Sequence, residues 1–98
     1  DFSRIEAWLL DAVLDLVLEG RLDTVTAPQL QAAANEQLAG VDSIKIDCKD
    51  LAYISSAGLR VLLTLRKSIP GELILRNVDP SVMEVLEITG FVDILTIE

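Results

Sequence analysis

The sequence predicts an α/β protein with a mostly parallel sheet. Three observations carry this. Short aliphatic and β-branched runs alternate with amphipathic segments of helical length. Most of those helical segments bring their own start and stop residues. The chain has 98 residues, 51% of them hydrophobic, which suits one domain over residues 1–98 with a packed core. Aromatics are only 4%, so aliphatic side chains must build that core.

The elements follow in order. "RIEAWLL" (Arg4–Leu10) fits a first strand, but the turn after it, Leu10-Asp11-Ala12, is poor turn chemistry. A helix over Arg4–Leu18 is the competing reading there. "VLDLVLEG" (Val13–Gly20) is a strand that ends at a glycine. "TAPQLQAAANEQLAG" (Thr26–Gly40) is a helix: Thr26 and Gln29 have capping-box spacing, Pro28 lies in the first turn and Gly40 closes the end. Its apolar face is Leu30, Ala33, Ala34 and Leu38. "SIKIDC" alternates, with Ile44, Ile46 and Cys48 on one face, as a strand does. "SAGLRVLLTLRKSI" is the next helix, stopping before Pro70, and apolar enough around its circumference to be well buried. "ELILRNV" is a strand. "DPSVMEVLEITG" is a helix with Asp79 as N-cap, Pro80 at the first helical position and Gly90 past the end. "VDILTI" (Val92–Ile97) is a last strand.

This β-β-α-β-α-β-α-β order implies parallel pairing through right-handed crossovers. Functional groups then gather at the carboxyl ends of the strands. Two loops leave those ends: "GRLDTVTA", containing Asp23, and "CKDLAYISSAG", containing Ser55 and Ser56.

Charge and composition exclude several functions. A net charge of −8 repels phosphate backbones and anionic membranes, so neither nucleic acid nor direct membrane binding is expected. Protein partners and cationic ligands stay open. No apolar run reaches the ~18 residues of a membrane span. "AWLLDAVLDLVLEG" comes closest, and Asp11 and Asp15 interrupt it; no basic segment precedes it to make it a signal peptide. Cys48 is the only cysteine, which rules out an intrachain disulfide and suits a reducing cytoplasm. Its simplest role is a small core hydrophobe.

Histidine is absent, which removes the usual catalytic triads and most zinc sites. The segment Ile54-Ser55-Ser56-Ala57-Gly58 lacks the first glycine of a nucleophile elbow. No phosphate-binding or dinucleotide-binding glycine loop exists, so no cofactor is implied. Asp23 and Asp47 are single carboxylates on separate strands, weak evidence for a metal. We expect no enzyme.

What remains is a serine at a helix start. Serine is a preferred N-cap because its oxygen accepts a bond from a free backbone amide. The same helix end also favours an anion, so a phosphate on Ser56 would meet unpaired amides and the positive end of the dipole. Capping and switching are compatible. Gly58 keeps the first turn slim and could let a partner approach.

Three segments together resemble the STAS domain of bacterial anti-sigma-factor antagonists: "GRLDTVTAPQL", "DLAYISSAGLRVLL" and "NVDPSVMEVLEITGFVDIL". The resemblance runs from about Val13 to Ile97. It implies a small α/β sandwich, with a mostly parallel sheet of four to five strands flanked by helices. It implies a cytoplasmic, non-catalytic regulator. In that family the unphosphorylated protein binds an anti-sigma factor that is also a serine kinase of the GHKL ATPase type, which frees the sigma factor. The kinase phosphorylates a serine in an Asp-Ser-Ser/Thr-Gly-Leu motif, and a PP2C-type phosphatase reverses this. On this chain the motif's aspartate falls on Ser55, its phosphorylated serine on Ser56, the next hydroxyl residue on Ala57, and the Gly-Leu pair on Gly58 and Leu59. The family's loop aspartate falls on Asp23. Serine at 55 changes the charge a kinase would meet and offers a second acceptor. The first-strand region also lacks the family's usual polar or glycine turn, and the helix that many members carry after the last strand has no counterpart.

The resemblance implies a partner surface of Asp23, Ser55, Ser56, Ala57, Gly58 and Leu59; the helix pattern adds Arg60 at its border, with a solvated stripe as the competing reading. Arg60 and Lys67 lie two turns apart on one helical face and are scarce cations on an acidic chain. A competing function is a STAS-like scaffold or accessory subunit of a transporter or signalling assembly, docked constitutively and never phosphorylated.

Overall fold

The computed structural model describes residues 4–98. Alternation decides the first element. β1 (Arg4–Leu10) and β2 (Val13–Leu22) form an antiparallel hairpin closed by the pair Leu10–Val13, which sets aside the helix over Arg4–Leu18. Leu14, Leu16 and Leu18 face the core at period two. The turn residues Asp11 and Ala12 both have positive φ, +52° and +66°. That is the backbone of a type I′ turn, whose twist matches the strands it joins.

β3 (Ser43–Ile54), β4 (Leu73–Arg76) and β5 (Thr96–Ile97) follow parallel to β2, in the spatial order β1-β2-β3-β4-β5. The connecting helices are α1 (Ala27–Asn35), α2 (Ser56–Lys67) and α3 (Pro80–Thr89). Each parallel step moves one strand in the same direction, so right-handed crossovers put all three helices on one face. Burial agrees. Leu14, Leu16, Ile44, Ile46, Leu73 and Leu75 point from the sheet into a core completed by Leu30, Ala34, Leu62, Leu65, Val82 and Leu86. The helices therefore flank the sheet on one side only. On the other side Trp8, Asp15, Val17, Lys45, Asp47 and Arg76 line a shallow pocket of about 110 Å³.

Several boundaries differ from the sequence reading. β3 runs on to Ile54, through the stretch expected to be a loop. Its register with β2 shifts twice, first between Asp47 and Asp50 and then between Leu51 and Tyr53. Each bulge inserts a residue, so burial passes from Ile44, Ile46 and Cys48 to Leu51 and Ile54 at a spacing of three. α1 is shorter than Thr26–Gly40: a tightened bond from Gln37 N to Ala34 O (2.9 Å) ends it, and Gly40 serves the turn beyond at φ +79°. The last strand shrinks to Thr96–Ile97 because Phe91–Asp93 forms a 3-10 turn. α3 keeps its expected signals, with Asp79 accepting from Ser81 N at 3.0 Å and Gly90 at φ +80°.

α2 is less buried than its composition suggests. Leu59, Leu62 and Leu65 enter the core, while Arg60, Thr64 and Lys67 make an exposed stripe. Cys48 is a core residue, and burial, aided by the Asp47 charge, pushes its thiol pKa up to about 12. Among the described residues no helix is long and apolar enough to cross a membrane.

Candidate functional site

The carboxyl ends of β2 and β3 lie side by side, with Arg21 opposite Tyr53 and Leu22 opposite Ile54. The amide of Ser55 donates to the carbonyl of Leu22 at 2.9 Å. This bond sets the start of α2 against the turn that leaves β2, so Asp23 and the two serines are neighbours, as expected.

The Asp23 turn is a self-locking cap. Asp23 Oδ1 accepts from Val25 N (3.0 Å) and Thr26 N (3.1 Å), and Asp23 N donates to Thr26 Oγ1 at 2.8 Å. This reciprocal pair has the logic of a capping box. It lies three residues upstream of the one read from Thr26 and Gln29, and the Thr26 side chain makes no cap bond to the helix below. Thr26 Oγ1 donates instead to Arg21 O at 2.6 Å. The amides of Thr26 and Val25, with the Arg21 charge, hold the Asp23 carboxyl below its ordinary 3.8. Arg21 reaches it at 3.6 Å while lying over the Tyr53 ring, 4.1 Å from the centroid.

The serines divide their roles. Ser55 is the N-cap of α2: its backbone is extended and its Oγ accepts from Gly58 N at 3.4 Å. Ser56 is the first helical residue and is exposed. Among the described residues its hydroxyl has no hydrogen-bond partner, so the cap assigned to Ser56 from sequence belongs to Ser55. Gly58 and Leu59 are buried beneath this surface. A β-carbon on Gly58 would lie 2.9 Å from Ile54 Cγ1, Leu22 Cγ and Leu22 O. The glycine thus admits β2 rather than a partner's backbone. Ala57 is half-buried and Arg60 is exposed.

Asp47 does not join the site. It sits mid-strand on the helix-free face, where Lys49 N and Asn77 Nδ2 bond its Oδ1. At ~3.3 Å per strand residue it is roughly 20 Å from the serines. No cluster of potential metal ligands forms among the described residues.

Two residues were missed by the sequence reading. Val25, 69% exposed, lies in the Asp23 turn, and Tyr53, 39% exposed, is the penultimate residue of β3. Their signal was a large apolar side chain within each polar loop. They add exposed apolar surface to the two segments that carry Asp23 and the serines.

Known proteins resemble the chain in sequence and in fold. The family model of the STAS domain matches residues 4–98. The chain is 39% identical over 92 residues to BtrV of Bordetella bronchiseptica, named as a candidate anti-sigma factor antagonist; the match covers 90% of this chain and 79% of BtrV. It is 30% identical over 89 residues to the anti-sigma-B factor antagonist of Listeria monocytogenes, covering 87% of this chain and 78% of that protein. Its fold matches the unphosphorylated form of the anti-sigma factor antagonist SpoIIAA with a TM-score of 0.85 at 20% identity, over 97% of this chain and 88% of the other. The phosphorylated form of SpoIIAA, from Bacillus, matches with a TM-score of 0.73 at 20% identity, over 99% and 91%.

Proposed function

The chain belongs to the STAS domain family, and from that premise we propose that it is an anti-sigma factor antagonist switched by phosphorylation at Ser56. Its unphosphorylated form binds an anti-sigma factor that is also a GHKL-type serine kinase, and so releases a sigma factor. A PP2C-type phosphatase resets it.

The observation that carries this reading is the exposed Ser56 hydroxyl, unpartnered at the first turn of α2 while Ser55 does the capping. A kinase can take Ser56 without dismantling the helix start. The amides of Ser56 and Ala57 have no intrahelical acceptor, and with the helix dipole they favour a phosphate there. The domain thus stays folded when modified, and the effect falls on the surface. A phosphate adds about −1.5 to −2 charge at pH 7. It arrives beside Asp23, which its hydrogen bonds keep ionised. A partner packed on Val25, Tyr53 and Ser56 would have to desolvate that charge. A hundredfold loss of affinity needs only ~2.7 kcal/mol, and one buried unpaired charge supplies it.

The test is incubation with ATP and the cognate anti-sigma kinase, followed by intact-mass analysis and a binding measurement. One added phosphate, mapped to Ser56 and accompanied by loss of binding, is the expected result. Tight binding with no phosphate gained would support the constitutive scaffold instead.

A further inference from the structure

β1 is the outer strand of the sheet, and its free edge carries few of the devices that keep such edges single. Residues 4–10 contain no proline and no lysine, and their register with β2 is unbroken by any bulge. Trp8, Leu9 and Leu10 are 47%, 45% and 65% exposed. The strand is also neutral, with Arg4 offset by Glu6 at 2.8 Å, on a chain of net charge −8. The opposite edge, β5, has only two residues.

The hairpin turn fixes which backbone groups are free. In a two-residue hairpin the flanking pair, here Leu10 and Val13, is hydrogen-bonded. By the alternation of an antiparallel ladder, Leu10, Trp8, Glu6 and Arg4 then bond inward to β2. The amides and carbonyls of Ile5, Ala7 and Leu9 point outward.

We propose that this edge pairs with β1 of a second copy, antiparallel, about a two-fold axis at Ala7. Ile5 then faces Leu9 of the second copy, Ala7 faces Ala7, and Leu9 faces Ile5. Every outward amide and carbonyl finds an acceptor or donor. Among the described residues, a shift by two in either direction leaves some of them unmatched. On the helix-bearing face the three pairs form an apolar row, continuous with the core that Ile5 and Ala7 already pack against. On the open face Trp8 meets the aliphatic stem of Glu6, and Leu10 that of Arg4. The row is self-complementary and locally neutral, which favours a second copy over an unrelated strand. The rest of the two acidic surfaces repel, so added salt strengthens the pairing.

Sedimentation equilibrium over a wide concentration range, at low and high salt, tests this on the chain and on Ala7→Pro and Leu9→Lys. Ala7→Pro removes one outward donor and leaves the ladder to β2 intact. Leu9→Lys places a charge in the row at an exposed position. The parent is expected to approach the mass of two copies as concentration and salt rise. Both variants are expected to stay at one copy with an unchanged far-ultraviolet circular dichroism spectrum. A parent that stays at one copy throughout overturns the proposal. So does a correctly folded Leu9→Lys variant that associates as the parent does, whatever the fate of Ala7→Pro.

Discussion

The carbonyl oxygen of Leu22 lies 2.9 Å from where a β-carbon on Gly58 would sit, and the same oxygen accepts the Ser55 amide at 2.9 Å. The start of α2 is therefore pressed against the end of β2, and glycine at 58 is what permits it. Gly58→Ala must displace the Leu22 carbonyl together with the Leu22 and Ile54 side chains, or push the helix start away from them. We expect it to destabilise the fold by about 1–3 kcal/mol in urea unfolding. An unchanged midpoint would mean that the helix start can slide away from β2.

Ser55 and Ser56 should separate cleanly. Ser55→Ala removes the cap and should cost ~0.5–2 kcal/mol, towards the low end because the bond to Gly58 N is 3.4 Å long. Ser56→Ala removes no hydrogen bond seen among the described residues and should shift stability by less than about 0.5 kcal/mol. It should also abolish phosphate uptake and keep partner binding. Phosphate still gained by Ser56→Ala but lost in Ser55→Ala would move the acceptor one residue back.

Asp23 predicts a pH dependence. The amides of Thr26 and Val25 hold its carboxyl below 3.8 in the folded chain, and unfolding releases them. A carboxyl lowered on folding stabilises fully above its unfolded value, and this is lost as pH falls through the folded one. Asp23→Asn keeps an acceptor for both amides but has nothing to titrate. Asp79, held low by Ser81, titrates alike in both proteins and cancels in the comparison. Urea midpoints should thus fall more steeply for the parent than for Asp23→Asn between about pH 5 and about pH 2. Parallel curves would exclude Asp23 as a source of acid sensitivity.

Legibility in the sequence followed local regularity. Ile44, Ile46 and Cys48 alternate and were readable as strand; Leu51 and Ile54 belong to the same strand but follow bulges, which erase the period-two signal. The helix starts were readable to within a turn, and at α3 so was the cap, Asp79; at α1 and α2 the capping residue was not. Asp23 and Thr26, or Ser55 and Ser56, are equally good oxygen acceptors, and only the backbone decides which one turns inward. The site's neighbours were readable through the strand order, whereas the burial of Gly58 and Leu59 depended on the helix rotation. Val25 and Tyr53 were hidden because an apolar residue in a loop carries no periodicity that tells surface from core.

The β1–β2 turn was illegible for a different reason: its residues suit it poorly. Ala12 sits at φ +66°, where its β-carbon costs roughly 1–2 kcal/mol. Glycine removes that cost and adds some unfolded-state entropy. Ala12→Gly should therefore stabilise the domain by about 1 kcal/mol net, seen as a higher urea midpoint. A lower midpoint would indicate that the type I′ turn is not the conformation in solution.

Arg60 bears on how a partner arrives. It is exposed on the stripe it shares with Thr64 and Lys67, and the chain has 8 basic residues against 16 acidic ones. Its guanidinium lies within ion-pair distance of no carboxylate among the described residues, so it is available to a carboxylate on the partner. At the rim of an interface such a pair changes the association rate and its salt dependence more than the lifetime of the complex. Arg60→Ala should therefore slow association with the cognate anti-sigma factor at low salt and differ little from the parent at high salt, with dissociation nearly unchanged. Screening explains the difference between the two conditions: beyond a Debye length of about 10 Å at 0.1 M salt, steering fades. Equal on-rates for parent and variant at low salt would remove Arg60 from the interface, leaving the Asp23 turn, Tyr53 and Ser56 as the surface to probe.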